Sequence, residues 1–307
     1  MGKFIKTCLI VGVICVVAGV LTSGTGIFKG GLSQLKEEIL NGEWVIGENA
    51  GIKPFFELEE QHYFHEDKEL VVDQETVRDS ISKEEVQELH VKSAGVTVVF
   101  VEYEGDDFLI EADMVHEYQI FLEKGELYII ARGQNTKELG SGKVRIDVPR
   151  SVYEEGRLEV EVEAAASKVA FDRVAAEEVE LKVSAGTISW NDLTTRNLSV
   201  EMSAGTVTGS NTNVLEETDM KVSAGTLNLT GVLGNETKID MSAGMVDVTL
   251  LDTYTDYNYD ISCAGGAVKV GEQAAEGLAK SQQIHNGAAK NIEIECSMGA
   301  VNINFAE

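Results

Sequence analysis

Positive charge is scarce in this chain. It carries 25 Lys and Arg against 52 Asp and Glu, a formal net charge of −27 over 307 residues. That balance excludes the basic footprint on which nucleic-acid binding rests, and it opposes docking of the folded part on anionic lipid. Arginine stops altogether at Arg196. Sites that cleave glycans need several carboxylates, often with Arg or Lys, converging on one groove, so no catalysis is expected of the repeats that follow. The four cysteines are too few for a disulfide framework in a chain this long. Histidines number five, and the only close pair, His62 and His65, lacks a third histidine or a cysteine to complete a metal site. No metal, cofactor or catalytic residue is therefore expected. The acidic excess itself suits a stack of strands that must stay soluble and avoid edge-to-edge association. Asp252, Asp256 and Asp260 recur every four residues but lack the glycine-rich spacing of calcium repeats.

What the chain has in abundance is a repeat. LKVSAGTIS, VEMSAGTVT, MKVSAGTLN and IDMSAGMVD follow one another, with looser copies in ISCAGGAVK and IECSMGAVN. Aligned on Gly186, Gly205, Gly225, Gly244, Gly266 and Gly299, the spacings are 19, 20, 19, 22 and 33 residues. A period near twenty marks stacked units that bury their apolar faces only against neighbours. Strand side chains alternate sides, and the columns five and three residues before each glycine are apolar throughout, from Leu181 and Val183 to Ile294 and Cys296. The residue between them (Lys182, Glu201, Lys221, Asp240, Ser262, Glu295) faces water. Alternation resumes two and four residues after the glycine, as at Val207 and Leu229. Each unit is thus a strand, a Ser-Ala-Gly corner and a second strand. Ser184, Ser203, Ser223 and Ser242 read as corner residues rather than nucleophiles. The expected fold is all-β: a parallel β-solenoid, right-handed and β-helix-like, with rungs of about twenty residues. An antiparallel stack of hairpins is the alternative. Cys263 and Cys296 share the inward column and read as buried thiols, a disulfide between stacked rungs being the other geometric option.

The rest of the chain divides around this ladder. Residues 7–28 carry no charge and follow Lys3 and Lys6. A helix of that length spans a hydrocarbon core, so 1–29 is read as one retained transmembrane anchor with a cytoplasmic start and the repeats outside the cell membrane; a cleaved signal peptide is its competitor. Residues 30–88 read as an acidic stalk, with a short helix at 33–40 and a capping box from Ser82 to Glu85. Residues 89–163 read as an irregular β cap with strands at 108–112, 118–122, 127–131 and 143–148. Its LHVKSAGVTVVF carries the corner with the apolar positions one residue out of step, which predicts a bulge or a distinct capping rung. Residues 164–307 form the regular stack, interrupted at 271–291 by a helix-like patch at 272–280.

The anchor, the strand-Ser-Ala-Gly-strand unit and the V-P-x-x-V…L-x-V passage from Val148 to Val160 together resemble the bacterial Toastrack-type putative adhesin family, over roughly 89–305. The resemblance implies an extracytoplasmic β-repeat domain without a catalytic motif to transfer, in some members linked to envelope-stress systems. The expected function is a binding or adhesion-type module at the bacterial cell surface, with the membrane, a surface glycan or envelope membrane proteins as partners. An accessory or sensing role in an envelope-stress response is the alternative, and a glycan-active enzyme is the least favoured reading. The flat polar rows Thr187, Thr206, Thr226 and Ser189, Thr208, Asn228 are the expected contact face, suited to multivalent binding.

Overall fold

The computed structural model describes residues 64–133, 142–276 and 280–306. The expected anchor at 1–29, the helix at 33–40 and His62 lie outside the described residues, as do Cys8 and Cys15. Among the described residues no helix is long and apolar enough to cross a membrane. They are almost entirely strand, and the unit they form begins at Phe64, inside the stretch read as stalk.

In the middle of the stack the sequence repeat becomes spatial register. Strand β7 (Glu159–Met202) makes several passes, and it is followed by β8 (Thr206–Val222), β9 (Thr226–Val232), β10 (Glu236–Met241) and β11 (Met245–Leu250). Pairing is parallel, each residue lying beside its counterpart one repeat on: Val200 beside Met220, Met220 beside Ile239, Leu227 beside Val246. These ladders rule out the antiparallel hairpin stack. The inward columns are sealed, with Ile188, Val207, Leu227 and Val246 all fully buried, each worth about 1.5–3 kcal/mol relative to exposure. Steric matching continues along the columns. Trp190 sits beside Gly209, where a Cβ would lie 2.1 Å from the indole, and its Nε1–H donates to Thr212 Oγ1 at 2.9 Å.

The corner explains its own glycine. Gly186, Gly205, Gly225 and Gly244 have φ between +116° and +127°, a region closed to side chains. A Cβ on Gly225 would also lie 2.4 Å from the Gly205 carbonyl oxygen. The backbone N–H groups of Ser203, Ser223 and Ser242 donate to the carbonyls of Val183, Met202 and Val222 in the preceding rung. Corner serines thus join rungs through the backbone.

At the C-terminal end, spatial order departs from chain order. Strands β12 (Tyr257–Cys263) and β13 (Ala267–Val270) form the outer rung. Strands β14 (Gln273–Glu276) and β15 (Lys280–Ile284) lie antiparallel on β13 and β12. Strands β16 (Lys290–Cys296) and β17 (Ala300–Phe305) then insert between the outer rung and β10/β11, so that Ile294 lies between Ile239 and Ile261. The patch at 272–280, expected to be helical, is strand at both ends, because the unpaired N–H and C=O groups of β12 and β13 offer it ladder bonds. Cys263 and Cys296 are direct neighbours, buried and free; burial pushes the Cys296 thiol up to about 11.

The N-terminal end shows the same device in reverse chain order. Strands β2 (Glu88–Ala94) and β3 (Val96–Tyr103) lie between β7 and the outer rung of β5 (Glu126–Arg132) and β6 (Gly142–Pro149). One long strand, β4 (Asp107–Glu123), runs antiparallel to β6 and then to β5, taking in two of the runs read separately from the sequence. The circuit β4–β5–β2–β7–β3–β6 closes into a six-stranded barrel, and β1 (Val71–Ser82) pairs antiparallel with the remaining edge of β4. Before β2 stands one turn of 3-10 helix, Lys83–Glu85, without the expected capping bond from Ser82. The out-of-step corner holds no bulge: Val91, Val98 and Phe100 pair directly with Val162, Val169 and Phe171. What shifts is the positive φ, carried by Gly95 at 70° and Ala166 at 50°, one position earlier than in the later rungs.

Candidate functional site

Two outward faces flank the Ser-Ala-Gly corner. After the corner, Thr187, Thr206 and Thr226 align, as do Ser189, Thr208 and Asn228, continuing to Met245 and Asp247. The expected flat polar rows exist, and they are neutral over three rungs. Before the corner the face is acidic. One row runs Ser199, Asp219, Lys238, Glu293, Asp260, Gln283, and the row beside it runs Asn197, Glu217, Glu236, Asn291, Asn258.

Near the C-terminal end this acidic face holds a groove of about 550 Å³, lined by Glu217, Asp219, Glu236, Asp260 and Glu293, with Lys238 and His285. Lys238 leans toward Asp240, 3.4 Å away, and Lys221 binds Asp219 Oδ2 at 2.8 Å. The Oδ1 atoms of Asp219 and Asp240 are buried without a hydrogen-bond partner. Amides supply the rest of the wall: Gln283 Nε2 donates to Asp260 at 2.8 Å and Asn291 Nδ2 to Glu236 at 2.9 Å. Asn258 fixes the loop before β16, donating to the Ala288 carbonyl at 2.9 Å and accepting from the Asn286 N–H at 3.0 Å. Such a lining offers acceptors to hydroxyl and ammonium groups and repels anions. The recurring aspartates separate: Asp252 binds Tyr257 and Lys290, Asp256 caps Thr253, and only Asp260 faces the groove.

At the other end of the acidic face, β2 and β5 bring together residues the sequence left apart. His90 Nδ1 is 2.7 Å from Glu161 Oε2. Its Nε2 lies 3.3 Å from Glu88 Oε2 and 4.0 Å from Glu126 Oε2. The ring stacks on Tyr128, centroids 4.6 Å apart, and the Tyr128 hydroxyl donates to Glu126. Bonding to Glu126, with burial, pushes the phenol up to about 12. The hydrogen bond from His90 holds the Glu161 carboxyl down to about 2 against the burial that raises it, with help from Lys182. His65, half of the expected surface pair, packs edge-on against Phe121, 4.7 Å between centroids. E-x-H at 88–90 and E-x-Y at 126–128 are the only sequence traces of this cluster, and the pairing of β2 with β5 is invisible in one sequence.

A family description named Toastrack (DUF4097) matches residues 86–304. The chain belongs to that family, and its fold is an all-β Toastrack domain. No curated protein matches it. Among solved structures it is similar to a putative cell adhesion protein from Clostridium sporogenes, at 13% identity and a TM-score of 0.33 over 75% of this chain and 99% of that one. It is likewise similar to a putative adhesin from Bacteroides fragilis, at 10% identity and 0.35 over 75% and 97%. A putative lipid binding protein from Parabacteroides distasonis matches at 10% identity and 0.27 over 77% and 98%.

Proposed function

We propose that the chain is a non-catalytic binding module of the adhesion type, held at the bacterial cell surface by its N-terminal segment, with its stack coiled as a right-handed β-solenoid. The observation that carries this reading is the groove on the acidic face, where carboxylates and amides from neighbouring rungs converge on one elongated surface. The donors and acceptors there suit a polymer bearing hydroxyl and ammonium groups, such as a glycan with free amino sugars. Family membership and the adhesin descriptions of similar structures agree with such a role. The test is retention of the purified full chain on isolated cell-wall polysaccharide, compared with a Glu236→Gln/Glu293→Gln variant. Retention should weaken at least tenfold in the variant and fall with salt. Equal retention of both proteins, or none of the wild type, would sink the proposal; crosslinking that recovers envelope proteins instead would favour the stress-sensing alternative.

A further inference from the structure

We propose that Glu88, His90 and Glu126 form a binding site for one divalent transition-metal ion of the zinc class, on the outward face of the two outermost N-terminal rungs. The backbone makes the constellation. Glu88 and His90 are two residues apart on β2 and share a side, and Glu126 of β5 lies directly beside Glu88. The three ligand atoms lie within 4.8 Å of one another. Two ligands at about 2.1 Å on a tetrahedral ion stand about 3.4 Å apart. The Glu88 to His90 separation of 3.3 Å already fits that value, and the 4.0 Å from His90 to Glu126 needs only a small side-chain movement.

The surroundings are what a metal ligand set requires. A ligating histidine gives its other ring N–H to a carboxylate, which fixes the tautomer and the ring orientation. Glu161 is placed to accept that proton from Nδ1, and Lys182 holds Glu161 at 2.5 Å from the far side. Nε2 then points at Glu88 and Glu126, and an arriving cation takes its lone pair by displacing the proton held there. Tyr128 fixes two ligands together, stacking on the imidazole and donating to the Glu126 carboxylate. Glu159, beside Glu88 on β7, adds a further carboxylate. One imidazole with carboxylates suits zinc and its neighbours better than calcium or magnesium, which favour all-oxygen sets.

Titration of the chelator-stripped full chain with zinc chloride, read by calorimetry, tests the site. One equivalent should bind in the micromolar range, and cobalt(II) should give a visible d–d band at the same stoichiometry. His90→Gln should weaken binding at least about 100-fold and Glu126→Gln about tenfold, with Glu161→Gln, a positioning residue, costing about 10–100-fold and shifting the cobalt band. Glu272→Gln, exposed just beyond β13, should bind as the wild type does. No zinc uptake in this range would overturn the proposal. So would undiminished uptake in folded His90→Gln, or loss of uptake in Glu272→Gln; if His90→Gln fails to fold, Glu126→Gln alone decides.

Discussion

The middle of the stack and its two ends are built from the same kinds of strand, but they obey different rules. Between Gly186 and Gly244 each rung lies beside the rung before it in sequence, and the corner glycines stack directly, each Cβ position meeting the carbonyl oxygen of the previous corner. At the ends the chain leaves a place, lays the outer rung, covers it with antiparallel strand, and fills the gap with a segment from elsewhere in the sequence. A regular rung presents two open ladder edges to its neighbours, whereas an outermost rung would expose one of them to water and to other chains. The antiparallel β4 and the β14/β15 pair are how this protein covers those edges.

The sharpest break of that contrast is removal of 288–307, which takes away the inserted rung. Strands β12 to β15, which reach the stack only through β16 and β17, should lose their structure while β10, β11 and the barrel end persist. Limited proteolysis should cut between Leu250 and Gly287 and leave a protected N-terminal fragment. A deletion protein with an unchanged, single cooperative melt would abolish the distinction between inserted and sequential rungs.

A pair of glycine substitutions probes the same contrast at the corners. Gly225→Ala, in the middle, meets both a φ of +116° and a carbonyl at 2.4 Å, and should cost about 3 kcal/mol or more. Gly95→Ala, at the end, should cost only about 1 kcal/mol, since its neighbour Ala166 already holds φ +50° with a side chain. Equilibrium denaturation of the two variants checks the order, and equal losses would show that the corners are alike.

The smallest expected effect is electrostatic. At the barrel end Glu102 receives Arg150 at 2.7 Å and Arg173 at 2.6 Å. Burial would raise its pKa, but the two guanidiniums prevail and hold it below the usual carboxylate value of 4.5. A lowered folded pKa stabilises above the unfolded value and is lost as pH falls through the folded one. Glu102→Gln should therefore cost about 1 kcal/mol at pH 7, with both arginines half exposed, and the gap to wild type should close as acid protonates the wild-type carboxyl. A gap that widens in acid would contradict this assignment.

The same contrast governs how much could be read from the sequence. Regular rungs were legible because burial repeats: Ile188, Val207 and Leu227 must all face inward, so a period appears without knowledge of the partner strand. The order of the last rungs was not, because Ile294 and Ile261 obey the same column rule whichever lies outside. The stretch at 272–280 was misread since its strands owe their conformation to edges supplied by β12 and β13, which no local preference records. The groove and the His90 cluster share that limit. Their residues are ordinary outward acids and amides until non-adjacent rungs bring them side by side.

The inserted rung also sets a timetable. A chain that emerges N-terminus first can assemble β7 to β11 as each repeat appears, because every rung docks on one already present. Strands β12 and β13 have no such seat; it is supplied by β16 and β17, about thirty residues later. Closing so long a loop carries an entropic cost before any ladder bond repays it, so the slow step of folding should fall at the C-terminal end, after synthesis of the last strands. Until then the outward edge of β10 and β11 stands open to any other strand, and it is closed once Ile294 and Val301 take their places.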